Sequence, residues 1–252
     1  MINSQHLVEA QFEVHAYDLG ADGLASMVTV CNFLQEAAGR HVRGLGFSVE
    51  QLLERGITWF LSRLHVRMQR MPAMGERVLV QTWPSELQRI FAVREFRMLD
   101  SAGAEIGVGT SAWLLFDIQR GRPIRLLEEM RVMHDDNAPR MIDDDFARLP
   151  LCEPTENPAE IRVRFSDLDL NGHVNNAVYA GMLLDSLPGP LLRRCFLHEL
   201  EIEFRAETHQ GELLTAHSRS LDGEQDSFRH AVISAAGGQD VVRAVTRWRE
   251  RG

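Results

Sequence analysis

Asp167, Asp169, Asn171 and His173 stand on alternate residues of the stretch VRFSDLDLNGHVNNAVY (163–179), and Asn175 and Asn176 follow directly. A carboxylate can take a proton from water or attack a carbonyl. An amide can orient that carboxylate or donate to a developing oxyanion, and an imidazole can polarise a carbonyl or protonate a leaving group. Together these are the parts of a hydrolytic centre. The run from Ile161 to Phe165 reads as a strand, and the apolar run from Val178 to Leu187 reads as a helix. The polar group therefore falls on a strand-to-helix turn, where the first helical N–H groups also point. Two blander readings compete. Asp, Asn and Gly are ordinary turn residues, and Asp167 or Asp169 could cap the helix. The string also matches the first six positions of an EF-hand loop, but the twelfth is Val178 instead of Glu and the preceding segment is strand-like.

A faded copy of the turn in the first half favours chemistry. DLGADGL (18–24) parallels DLDLNGH (167–173), with Asp18, Leu19 and Gly23 matching Asp167, Leu168 and Gly172. Each copy runs into an apolar helix ending in an acid, at Glu36 and Asp185. Further on, 61–80 parallels 197–216, with Gly75-Glu76 opposite Gly211-Glu212. The offset is smaller there, so the first half carries extra residues between helix and strand. GLGFSVEQLLERG (44–56) fits that insertion, with Ser48 and Gln51 placed as a capping box. The positions of Asp169, Asn171 and His173 hold Gly20, Asp22 and Leu24 in the first half. A turn kept for its shape alone gives no reason for that asymmetry. Asp167, whose match survives as Asp18, reads as structural.

The elements around the turns follow one plan in both halves: strand, helix, then a run of strands. Strands are expected near 10–16, 58–70, 76–84, 89–99 and 104–117, and again near 161–166, 198–207, 211–220, 227–235 and 239–249. One helix against several antiparallel strands is an α+β plan. The expected organisation is a first half over 1–127, an acidic linker over 128–160 and a second half over 161–252. The linker holds ten acids, three arginines and four prolines, and is long enough for a short helix.

Composition narrows the function classes. The 252 residues are 44% hydrophobic and 25% charged, as in a soluble globular chain. A net charge of −9 argues against nucleic acid as main partner. No apolar run reaches the ~20 residues of a membrane span, and the N-terminus lacks a signal-peptide pattern. Three scattered cysteines, Cys31, Cys152 and Cys195, make no disulfide framework, so a cytoplasmic location is expected. All 27 basic residues are arginine, which reads as codon bias.

RFSDLDLNGHVNNAVY (164–179) and EIEFRAET (201–208) resemble the bacterial acyl-acyl-carrier-protein thioesterases related to the plant plastid enzymes. The resemblance in order and spacing covers nearly the whole chain. It implies a tandem hotdog fold and a place in fatty acid biosynthesis. It implies hydrolysis of the thioester joining a fatty acyl chain to the phosphopantetheine arm of acyl carrier protein, with no metal or organic cofactor. It also implies catalytic roles for Asp169, Asn171, His173 and Glu207. The position after that glutamate, often cysteine in the family, is Thr208 here, which argues against an obligatory cysteine nucleophile. On chemical grounds Asp169 is the first choice for base or nucleophile, Asn171 orients it or donates to the oxyanion, and His173 polarises the carbonyl or protonates the thiolate. Glu207 positions water, and the N–H groups near Val174 and Asn175 are candidate oxyanion donors. Trp59, Phe60, Leu61 and the helix from Met27 to Ala38 are candidates for an acyl slot in the first half, and Arg162, Arg164, Arg193 and Arg194 for docking an acidic carrier. An acyl-CoA thioesterase on the same scaffold is the alternative, ahead of a non-catalytic acyl-binding protein. A homodimer is left open.

Overall fold

The computed structural model describes residues 6–88, 90–133 and 138–251. Arg89, where a strand was expected to start, and residues 134–137 of the expected linker lie outside this range. The first half runs β1 (Val8–Glu13), α1 (Met27–Gly44), α2 (Val49–Leu53), β2 (Ile57–Met68), β3 (Arg77–Leu87), β4 (Ala92–Leu99), β5 (Glu105–Asp117) and the short β6 (Arg122–Ile124). The second runs β7 (Ala159–Arg162), α3 (Asn176–Leu184), α4 (Gly189–Arg194), β8 (Cys195–Phe204), β9 (Leu213–Ser220), β10 (Ser227–Ser234) and β11 (Asp240–Glu250).

The strands form a single sheet in the order β1-β3-β4-β5-β2-β8-β11-β10-β9-β7, with β6 on β5. Read outward from the central β2–β8 seam, both halves have the same order. The inferred duplication is therefore a property of the topology. The seam pairs Arg63 with Glu203 through Arg67 with Glu199, antiparallel. Each half wraps its sheet around one helix, and this is the expected tandem hotdog. The two helices share one core, in which Leu34 and Ala37 of α1, Tyr179 and Leu183 of α3, and Val66 and Leu200 of the seam are all buried.

Each helix begins at a polar cap. Ser26 accepts from the Thr29 N–H (3.1 Å), and Asn175 accepts from the Ala177 N–H (2.9 Å). The capping box of Ser48 and Gln51 forms as expected at the start of α2. The structure extends α1 well past Glu36, to Gly44. Ala37, Ala38 and His41 continue its buried stripe at helical spacing.

The expected acidic linker is instead a strap. Its start is a 3-10 helix, Glu128–Met133, whose Met130 and Met133 fill a small second core with Phe47, Leu52 and Leu115. From Pro139 to Thr155 it crosses the sheet face away from the helices and is fastened to one strand after another. The Pro139 carbonyl accepts from Trp83 Nε1 on β3, and the Met141 N–H donates to Glu95 on β4. Asp144 bonds His65 on β2, the Leu149 N–H donates to Glu203 on β8, and the Thr155 N–H donates to His217 on β9.

The His65 fastening is ionic on both sides, with Asp144 2.8 Å from Nδ1 and Glu199 2.7 Å from Nε2. Burial disfavours the imidazolium, but the two carboxylates outweigh it and raise its pKa from 6.5 to about 8. A group raised on folding adds stability that is complete below its unfolded pKa and is lost as pH climbs through the folded one. A His65→Gln variant should therefore lose most melting temperature relative to the parent at about pH 6, and the gap should narrow by about pH 9. Thermal melts at the two pH values check this, and an equal gap at both would refute the imidazolium.

Candidate active site

The turn after β7 is built by its own backbone. Asp167 Oδ2 accepts the Arg164 N–H (2.7 Å), and the Asp167 carbonyl accepts the Asn175 N–H (2.9 Å). Asp18 does the same for His15 and Ser26 in the first half, so Asp167 is structural, as its surviving copy indicated. Leu168 bridges Val174 as Leu19 bridges Ala25. Gly172 and Gly23 sit at φ of 77° and 78°, which any side chain would strain.

On this frame Asp169 is held by one oxygen. Its Oδ1 accepts the N–H groups of Asn171 (2.8 Å) and His173 (3.3 Å). Among the described residues Oδ2 makes no hydrogen bond. His173 Nε2 lies 3.3 Å from Glu207 Oε2, and its ring stands edge-on to His209 with centroids 4.9 Å apart. The structure thus brings all four expected residues, Asp169, Asn171, His173 and Glu207, to the wall of one cavity of about 50 Å³. That is room for a few water molecules.

This cavity shares walls with two others. Through Trp59, Asp169, Asn171 and Asn176 it meets a slot of about 210 Å³, whose walls include Ala38, Val42 and Trp113. Through Phe60, Phe204, Ala206 and Glu207 it meets an outer groove of about 470 Å³. The expected slot residues divide accordingly. Trp59 lines both the slot and the cavity, Phe60 lines the cavity and the outer groove, and Leu61 lines the cavity. Along α1 the slot follows Gln35 to Val42, further down the helix than expected.

One expectation is corrected. The N–H groups of Val174 and Asn175 are not free for an oxyanion, because they donate to the carbonyls of Thr208 and Asp167. Among the described residues, the Asn176 N–H and the Asn171 side-chain amide make no hydrogen bond with such an acceptor, and both residues line the cavity. The candidate docking arginines Arg162, Arg164, Arg193 and Arg194 do not line the cavity. Arg162 and Arg164 line a separate surface cleft with Glu160, Asp167 and Asp185, and Arg194 is paired with Asp226 (2.8 Å) and Glu250 (3.3 Å).

Thr208 is buried with its hydroxyl 2.6 Å from that of Tyr179, away from the cavity wall. Burial pushes the Tyr179 phenol up to about 12, so it stays neutral. All three cysteines are buried and free, and burial raises the Cys31 thiol to about 12 and also raises that of Cys152. Neither is a ready thiolate.

Gln35 went unnoticed in the sequence. From α1 its Nε2 donates to Asn175 Oδ1 (3.3 Å) and its Oε1 accepts from Asn176 Nδ2 (3.4 Å), so the first half clamps the start of the second half's helix. A polar residue beside the buried stripe of α1 was the only signal.

With this geometry in view, comparison with known proteins decides the family. The family model of the acyl-ACP thioesterase N-terminal domain matches residues 5–133, and that of the acyl-ACP thioesterase C-terminal domain matches 153–250. The chain belongs to the acyl-ACP thioesterase family. Among relatives of this family, the chloroplastic palmitoyl-acyl carrier protein thioesterase of Cuphea hookeriana is 32% identical over 256 residues, covering 95% of this chain and 61% of that protein. The chloroplastic oleoyl-acyl carrier protein thioesterase 1 of Arabidopsis thaliana is 26% identical, covering 96% of this chain and 75% of that one. This chain spans about three fifths of the length of the Cuphea relatives. A solved acyl-ACP thioesterase from Bacteroides thetaiotaomicron superposes with a TM-score of 0.84 at 27% identity, over 96% of this chain and 98% of that one. The 12:0-ACP thioesterase of Umbellularia californica shares the fold, with a TM-score of 0.86 at 24% identity over 100% of both chains.

Proposed function

We propose that this protein hydrolyses the thioester of a fatty acyl group carried on acyl carrier protein, releasing the free fatty acid and the carrier thiol. One observation carries the reading. Four groups able to activate water, orient it, polarise a carbonyl and protonate a thiolate meet in one small cavity at the mouth of an apolar slot. The acyl chain occupies the slot, mostly walled by the first half, and the carbonyl rests beside Asp169.

Asp169 Oδ2 takes a proton from the attacking water, and that proton afterwards replaces the one His173 has given up, or it attacks the carbonyl to form an anhydride that water then cleaves. Its other oxygen is tied down, so the carboxylate keeps its aim. The Asn171 amide and the Asn176 N–H donate to the carbonyl oxygen as it gains charge. Glu207 holds the His173 imidazole, which gives its proton to the departing sulfur. Water supplies the acid's hydroxyl and the thiol's proton, and no cofactor enters the balance. Unpaired buried cysteines suit a reducing compartment, and we place the protein in the cytoplasm.

An acyl-CoA thioesterase is the second reading, because the four cavity groups act on a thioester whichever thiol it carries. Steady-state hydrolysis of acyl-carrier-protein and acyl-CoA substrates matched in acyl chain separates the two. A higher kcat/KM on the carrier-protein series is expected. A preference for CoA would favour the second reading, and no hydrolysis of either would exclude both.

A further inference from the structure

The outer groove adjoins the cavity at Glu207, and its walls are of two kinds. Phe60 and Phe116 (ring centroids 6.2 Å apart), Leu114 and Pro123 make it apolar inside. Three guanidiniums, Arg63, Arg148 and Arg205, stand around it. Only one carboxylate answers two of them. Buried Glu203 takes Arg205 at 2.6 Å and Arg63 at 3.1 Å, and also accepts the Leu149 N–H at 3.1 Å. Arg148, on the strap, is exposed and makes no ion pair among the described residues. Glu207 at the inner end is held by His173. The groove therefore combines apolar side chains with three guanidiniums and two carboxylates.

The cavity shares Trp59, Asp169, Asn171 and Asn176 with the slot and Phe60, Phe204, Ala206 and Glu207 with the groove, so the hydrolytic groups stand between the two. A thioester placed there has its acyl chain on one side and its thiol-bearing arm on the other. We infer that the outer groove seats a phosphopantetheine arm, with Arg148 and Arg205 meeting its phosphate. The inference rests on the thioesterase reading and adds to it the subsite of the leaving group. A slender arm carrying methyl groups suits aromatic walls. A phosphate suits planar guanidiniums, which bind it through paired N–H donors. The same arm occurs in CoA and on carrier proteins, so this chemistry is common to both substrates. It also moves arm recognition away from the arginines beside the catalytic turn in sequence.

The test uses small thioesters of one acyl chain, acyl-pantetheine and acyl-phosphopantetheine, with the full chain. The phosphate should raise kcat/KM by about tenfold, mainly through KM, as expected for a charge-assisted contact. Arg148→Glu should bring the ratio close to one, and Arg205→Gln should lower it. Arg193→Glu, a charge reversal outside the groove, should keep it. A ratio near one in the parent, or one unmoved by Arg148→Glu, overturns the assignment. Calorimetric binding of phosphopantetheine alone reads the same subsite without turnover. If neither thioester is cleaved yet phosphopantetheine binds and Arg148→Glu weakens it about tenfold, the thioesterase reading fails and the subsite stands. With acyl-CoA and acyl-carrier-protein, Arg148→Glu should impair both. Impairment confined to the carrier protein would make Arg148 a contact for the protein surface and overturn the phosphate assignment.

Discussion

Replacing Asp169 with Asn should abolish turnover, by on the order of 10³-fold or more, while the protein keeps its fold. The two oxygens of this carboxylate have different duties. Oδ1 accepts the N–H groups of Asn171 and His173 and so shapes the turn. An asparagine presents a carbonyl oxygen in the same place and preserves both bonds. What it loses is the negative oxygen that faces the cavity, and with it the ability to take a proton or attack. Asp169→Ala should behave differently, losing activity together with about 1 kcal/mol of stability for each N–H left without its acceptor. Hydrolysis rates with thermal melts distinguish the two variants. Turnover above about a tenth of the parent in a folded Asp169→Asn enzyme would move the base elsewhere, with Glu207 as the remaining carboxylate on the cavity wall.

The second large effect is an asymmetry between matching positions. Asn171→Ala should cost on the order of 10²-fold in kcat, because it removes an amide aimed at the reacting carbonyl. Asp22→Ala, at the equivalent place in the first half, should leave turnover nearly unchanged. Asp22 has been put to other use. Its Oδ1 accepts the Leu24 N–H (3.2 Å), filling in for the side chain that Gly20 lacks, and its Oδ2 takes Arg251 at 2.6 Å. That ion pair is partly exposed and worth about 1 kcal/mol at most. Comparable activity losses from both substitutions would refute the assignment of chemistry to the second half alone.

The local features of this chain could be read directly. Turn residues, helix caps and strand alternation are written in neighbouring positions, so the duplicated plan, the capping box at Ser48 and the four cavity residues were all legible. What escaped reading depends on partners far away in sequence. The stretch around Asp144 looks like a solvated linker until His65, Glu95 and Glu203 are brought beneath it. Val174 and Asn175 look like free donors until the Thr208 carbonyl is folded against them. Gln35 acquires its purpose only when α1 lies beside α3. Arg162 and Arg164, nearest the motif in sequence, line a cleft with Asp167 and not the cavity.

The duplicated sheet also separates two properties that most small enzymes hold together. In the proposed function the slot for the acyl chain is walled largely by Trp59, Ala92, Val93 and Trp113 of the first half, whereas the groups assigned to hydrolysis lie in the second. On that reading one copy of the repeated unit serves as a gauge and the other as a cutting edge. On the same reading, substitutions along β4 and β5 retune which chain is accepted without touching the turn assigned to cleavage. Preference can drift, or be engineered, under weak constraint from catalysis, an independence that a symmetric pair of identical subunits, mutated in both copies at once, would not have.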